Sequence, residues 1–206
     1  MYWSEFITIA IAHLFAVASP GPDFVIVTRQ SVTGGSKVGF WTSLGVGAGI
    51  LVHVSYCIIG VAVLLSRSEA LFNLMKYLAA AYLCYLGLQS LKTSFDQYSM
   101  EEGSLKMNTG FRKAFWTGFL TNGLNPKATL FFLALFTVVI DINTPVLIQV
   151  LYGVYLAMAT FIWFAMLSLV LGKSIVREFM SRAGPWFERG MGVLLILLAI
   201  QIAVLA

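Results

Sequence analysis

The chain has 206 residues, of which 59% are hydrophobic and 11% charged. A soluble domain carries about 25% charge, so 13 Lys and Arg with 9 Asp and Glu cannot cover a water-facing surface of this length, and the apolar excess must face lipid. The net charge of +4 is read as basic residues marking the cytoplasmic side of a membrane protein, not as nucleic-acid binding.

A helix needs about 20 mostly apolar residues to cross the hydrocarbon core. Measured between charges, the chain supplies six such stretches. The first is 3–28, with Asp23 inside it, and the second is 38–66, uncharged. The third is 71–91, with Lys76 near its start, and the fourth is 114–140, with Lys127 at its midpoint. The fifth lies within 142–172, uncharged, and the sixth is about 186–206, short past Arg189 near its start. No cleavable signal peptide is expected, because the first stretch opens on Glu5 rather than a basic region and no A-x-A site closes it. Arg29 and Lys37 follow the first stretch. Lys92, Lys106, Arg112 and Lys113 lie between the third and fourth, and Lys173, Arg177, Arg182 and Arg189 between the fifth and sixth. These ten basic residues share one side, against Arg67 and Lys76 on the other. The positive-inside rule then places the first, third and fifth loops in the cytoplasm and both termini outside.

A polar linker of about 93–113, containing Asp96, Glu101, Glu102 and Gly103, divides a single transmembrane domain, 1–206, into repeat 1 (1–92) and repeat 2 (114–206). Three spans per half means that the halves enter the membrane from opposite sides. The expected architecture is therefore an all-α integral membrane protein of six transmembrane helices, arranged as two inverted three-helix repeats, a layout many transporters use.

Two segments interrupt the apolar pattern: Ser19-Pro20-Gly21-Pro22-Asp23 in the first span and Asn122-Gly123-Leu124-Asn125-Pro126-Lys127 in the fourth. Each sits in the leading span of its half, and Pro22-Asp23 aligns on Pro126-Lys127 at the offset that separates the halves. Proline removes a backbone donor and collides with the carbonyl four residues earlier, so the first helix of each repeat should be broken. Within lipid, backbone freed in this way must be satisfied by protein, water or substrate, which is tolerated where it lines a cavity. Half-helix ends then offer partial charges to an ion or a zwitterion.

Asp23 and Lys127 are the costly residues, since a charge at mid-bilayer costs at least about 2.5–3.5 kcal/mol. Counting helical rise puts Lys127 about 20 Å from the cytoplasmic end of its span and Asp23 about 9 Å from Arg29, an axial offset of roughly 10 Å. A local Asp23–Arg29 contact stays open. Asn122 and Asn125 either bridge the backbone opened by Pro126 or touch substrate. His13 and His53 read first as helix–helix hydrogen-bond partners, with proton relay or substrate contact as the alternative. Gly45 with Gly49, and Gly190 with Gly192, favour close helix packing. Trp3, Trp41, Trp116 and Trp186 fall near span ends and fit interfacial anchoring. Cys57 and Cys84 lie in apolar runs and form no CxxC or metal cluster, so no metal or cofactor is expected.

SPGPDF at 19–24, GFLTNGLNPKATLFF at 118–132 and YLCYLGLQSL at 82–91 resemble the motifs of the LysE/RhtB family of amino-acid exporters. The resemblance covers nearly the whole chain, and His13 ahead of SPGPD is similar to the threonine/homoserine branch. It implies a secondary exporter, not an enzyme, that moves an amino acid or derivative across a bacterial inner membrane, driven by protons. Among the site residues are Ser19 through Asp23, Asn122, Asn125, Pro126 and Lys127, together with His13 and His53. Amino acid, proton and membrane lipid are the implied partners, and the oligomeric state stays open, a homo-oligomer included. Two other classes compete. A thiol-redox relay needs facing cysteines beside the broken helices, whereas Cys57 and Cys84 fall on the second and third spans. A non-transporting scaffold or sensor lacks an extramembrane segment large enough to report a signal. No nucleotide-binding loop is present in the sequence.

Overall fold

The computed structural model describes residues 2–67, 69–93, 110–141, 143–170 and 174–205. Among these the chain is helical, without strands. The first predicted span is two helices, α1 (Tyr2–Ala18) and α2 (Pro22–Gly34), bent by 53°. α3 (Ser36–Arg67) and α4 (Glu69–Thr93) follow. The fourth predicted span is also divided, into α5 (Phe111–Gly123) and α6 (Pro126–Ala134), the latter continuing as a π-helical turn over Leu135–Val139. α7 (Val146–Val170) and α8 (Ser174–Leu205) complete the fold. Ser36–Gly60 within α3, and α7 entire, are each long and apolar enough to cross a membrane, and α1 with α2 meet that measure as a bent pair. α7 turns Leu147, Met166 and Leu169 outward, each more than 60% exposed, as a lipid-facing helix does.

Charge-defined span ends misplace two helices. α2 runs past Arg29 to Gly34, and α8 starts at Ser174, well before Trp186, and passes through Pro185. The cause is general: a charge ends an apolar stretch, but a helix continues beyond it because long basic side chains can carry their charge to the interface. The segment 94–109, with Lys106, and Lys173 lie outside the described residues.

α3 is the hub, packed on α2, α5 and α7, while α4 packs along α8. Small residues allow this. A Cβ at Gly45 would overlap the Phe115 carbonyl oxygen, and one at Gly118 the Thr42 carbonyl oxygen, so α3 and α5 cross backbone to backbone. Gly87 and Gly192 bring α4 and α8 together in the same way: a Cβ on either would come within 2.8 Å of the other's carbonyl oxygen. The Gly49 face takes the Asn122 side chain, and Gly190 takes the Phe15 ring. The main core gathers Ile9, Leu83, Phe132, Leu135, Leu156, Met191 and Leu195. Cys57 is buried in it and Cys84 packs against it, both as free thiols. Trp3, Trp41, Trp116 and Trp186 are all exposed. Where α1 begins, the buried Glu5 carboxylate accepts from Asp141 N at 3.3 Å, Thr144 Oγ1 at 3.0 Å and Tyr152 Oη at 3.3 Å. It thereby ties α1 to the turn that leads into α7.

Candidate functional site

The two breaks meet, and each is shaped by local chemistry. Pro22 and Pro126 both stand at the first turn of the second half-helix, where a missing N–H is no loss. Gly21 precedes α2 in an extended conformation and caps it without a side-chain bond. Asn125 caps α6 through its side chain, whose oxygen accepts from Lys127 N at 3.0 Å.

Charges are exchanged across the junction. Asp23, in the first turn of α2, accepts at Oδ2 from Asn122 Nδ2 at 2.9 Å and Asn125 Nδ2 at 3.2 Å, both from the second break. Lys127, in the first turn of α6, reaches back to the first break. Its Nζ donates to Ser19 Oγ at 2.7 Å and to the Pro20 carbonyl at 3.4 Å. A carboxylate at a helix N-terminus is favoured by the helix dipole, whereas an ammonium there is opposed. Lys127 therefore needs the carbonyl and hydroxyl at the C-terminal end of α1, and it needs a counter-ion. Glu188 on α8 supplies the counter-ion: its Oε1 lies 3.4 Å from Lys127 Nζ, and its Oε2 accepts from Ser19 Oγ.

One cavity is lined by His13, Ser19, Gly21, Asp23, Asn122, Asn125 and Lys127. Its apolar wall comes from residues that include Ile50, Phe131, Phe132, Phe164 and Met191. Asp23 Oδ1 is buried without a hydrogen-bond partner, so the Asp23–Arg29 contact is not made. The counted offset of roughly 10 Å took Arg29 as the end of the first span. α2 continues to Gly34, so Arg29 is not the end of the span, and Lys127 bonds directly to Ser19 and Pro20. Pro20, Pro22 and Pro126 shape the breaks rather than line the cavity.

The two histidines part company. His13 Nε2 bonds Thr160 Oγ1 on α7 at 2.8 Å, a buried helix–helix contact beside the cavity. His53 stays behind the site. Its Nε2 meets the Asn122 carbonyl at 2.9 Å, its Nδ1 meets Tyr56 Oη at 2.6 Å, and its ring stacks on Phe132 at 5.5 Å. A carbonyl only accepts, so Nε2 carries the proton and fixes the ring as a clamp on the second break.

Glu188 and Thr160 are the residues of the candidate site that the sequence alone did not single out. Glu188 falls at the very start of the sixth predicted stretch, beside Arg189, where an acid looks like a span end. Its register gives it away: Glu188, Met191, Leu195 and Leu198 fall on one helical face and all are buried.

A family model, LysE type translocator, matches residues 14–205. The threonine efflux protein of Escherichia coli (strain K12) is 25% identical over 192 residues, 92% of each chain. An uncharacterized membrane protein of Bacillus subtilis (strain 168) is 28% identical over 195 residues, 91% of this chain and 92% of the relative. The leucine efflux protein of Salmonella choleraesuis (strain SC-B67) is 34% identical over 146 residues, 70% of this chain and 65% of the relative. No solved structure matches.

Proposed function

The chain belongs to the LysE type translocators, and from that premise we propose that it exports amino acids through the junction of its two broken helices. Relatives named for threonine and for leucine efflux suggest the substrate class. Those two side chains differ in polarity and size, and what they share is the zwitterion. The cavity suits that shared part: polar groups from both breaks face an apolar wall.

The observation that carries the reading is the crossed engagement of the breaks. Asp23 is held by the amides of the second break and Lys127 by the oxygens of the first. In this reading Lys127 attracts the substrate carboxylate and the free Oδ1 of Asp23 the ammonium. With Lys127 paired to Glu188, the Oδ1 of Asp23 stays without a hydrogen-bond donor, and either an ammonium or a proton can bind there. The two compete for the same oxygen, and such exclusion is what proton antiport requires. His13 and Thr160 border that exchange.

The reading includes six spans in two inverted repeats across the bacterial inner membrane. Its support is that α3 packs on α7 and α4 on α8, each on its counterpart in the other half, while α2 packs on α5, a part of the span that corresponds to its own. The prolines that open α2 and α6 correspond in the same way.

The test is uptake into everted membrane vesicles, whose lumen corresponds to the outside. Wild-type vesicles with an acidic lumen should accumulate L-threonine or L-leucine, and a protonophore should abolish the accumulation. Lys127→Met should lower uptake by more than about tenfold per inserted protein, as expected for removal of a charge-assisted contact. Wild-type uptake by that variant would reduce Lys127 to a structural partner of the first break.

A further inference from the structure

Resting on the amino-acid reading, we propose that Glu188 is a built-in competitor for the substrate's carboxylate: it occupies Lys127 in the empty transporter, yields it to the substrate, and retakes it at release.

An ammonium has three hydrogens to donate, and Lys127 has three acceptors: Ser19 Oγ at 2.7 Å, the Pro20 carbonyl at 3.4 Å and Glu188 Oε1 at 3.4 Å. An arriving carboxylate must therefore displace one of them. The Pro20 carbonyl is backbone, positioned by the break itself. Ser19 makes the shortest of the three contacts. Glu188 is a side chain on another helix, and its contact is longer than the 2.7–2.9 Å of a strong ammonium–carboxylate bond. It is also the one acceptor with the chemistry of the incoming group, so the exchange is like for like and Lys127 is never left as an unpaired buried charge, which would be costly. Once displaced, Glu188 keeps only the Ser19 hydroxyl as a donor, so the cost of an unpaired buried charge falls on its carboxylate and drives its return. It is buried, 8% exposed, and so it stays beside the site ready to return. A substrate whose carboxylate is masked cannot make the exchange, which turns Glu188 into a filter for free α-carboxylates.

The experiment uses the full-length protein in proteoliposomes, with L-threonine and L-leucine as substrates and L-threonine methyl ester as inhibitor. Glu188→Gln removes the competing charge. It should lower the half-saturating concentration of the amino acids about tenfold, lower the maximal rate because release loses its assistance, and leave inhibition by the ester unchanged. Glu188→Asp draws the charge back by one methylene and should give a smaller shift in the same direction, which keeps the test decisive if the Gln variant does not fold. A half-saturating concentration that is unchanged or raised in the folded variants overturns the proposal and leaves Glu188 a structural counter-ion. A wild type that moves neither amino acid overturns both this proposal and the reading beneath it.

Discussion

Asn125 caps α6 with its oxygen and holds Asp23 with its amide, and two substitutions separate these roles. Asn125→Ala removes both and should cost about 1 kcal/mol of stability through the lost cap. Asn125→Ser keeps a cap oxygen but is too short to reach Asp23, so it should melt within about 0.5 kcal/mol of wild type, since Ser caps nearly as well as Asn. Both variants should lose export to a similar degree, several-fold, because each frees Asp23 on one side. Thermal unfolding in detergent and vesicle uptake measure the two effects separately, and normal export by Asn125→Ser would show that the amide takes no part. In the proposed export cycle the two carboxylates would carry opposite linkage: a proton on Asp23 would exclude an ammonium, whereas one on Glu188 would release Lys127 to a carboxylate, so that Asp23 is the one with the sign proton antiport would need. Asp23 and Lys127 were legible in the sequence because a charge inside an apolar run is conspicuous at any register. Glu188 was not, because an acid next to Arg189 looks like a span end until the helical face it shares with Met191 and Leu195 is traced.

The two broken spans are alike in plan and unlike in what maintains them. α6 begins behind a side-chain cap, and the Asn122 carbonyl before it accepts from both Asn125 N at 2.8 Å and His53. Pro126 is therefore one of several constraints on that break. α2 begins behind Gly21, which offers no side chain, so Pro20 and Pro22 are the local constraints on that break, with Lys127 holding Ser19 and the Pro20 carbonyl from across the junction. Pro22→Ala should thus impair export more than Pro126→Ala, by severalfold at equal membrane abundance, because restoring an N–H lets a helix propagate more readily where no side-chain cap competes with it. Equal losses in vesicle uptake would mean that the cap and the His53 clamp contribute nothing at the second break. That the breaks exist was plain from sequence, since paired prolines within apolar runs have few other uses. What fixes each one was not, because the His53 and Thr160 contacts join helices far apart in the chain. The early start of α8 was hidden for a different reason, as Arg177 and Arg182 end the apolar pattern without ending the helix.

At the scale of the molecule, the fold brings together what the chain separates. α3 crosses α5 through Gly45 and Gly118, α4 crosses α8 through Gly87 and Gly192, and both crossings are backbone to backbone. Lipid supplies little drive for helices to associate, so close van der Waals approach at small residues must do it. The same crossings fix the junction, since α5 delivers Asn122 against Gly49 of α3 and α8 delivers Glu188 against Lys127. A pair of inverted halves has a consequence for orientation. If three spans in each half traverse the membrane, the N-terminus of α1 and the C-terminus of α8 lie on one side, while the α2–α3, α4–α5 and α7–α8 connections lie on the other. Most of the ten basic residues counted in the sequence lie in those three connections or the turns beside them, while Arg182 and Arg189 stand within α8; under the positive-inside rule that bias would place the connections in the cytoplasm. An alkaline phosphatase fused after Ala206 should therefore be active, because it folds only outside, and a cytoplasm-dependent reporter at the same place should be silent. Fusions within 94–109 should give the reverse pattern. Activity of the cytoplasmic reporter after Ala206 would leave an odd number of crossings, and with it the inverted repeat and the outward path proposed for the substrate would both fall.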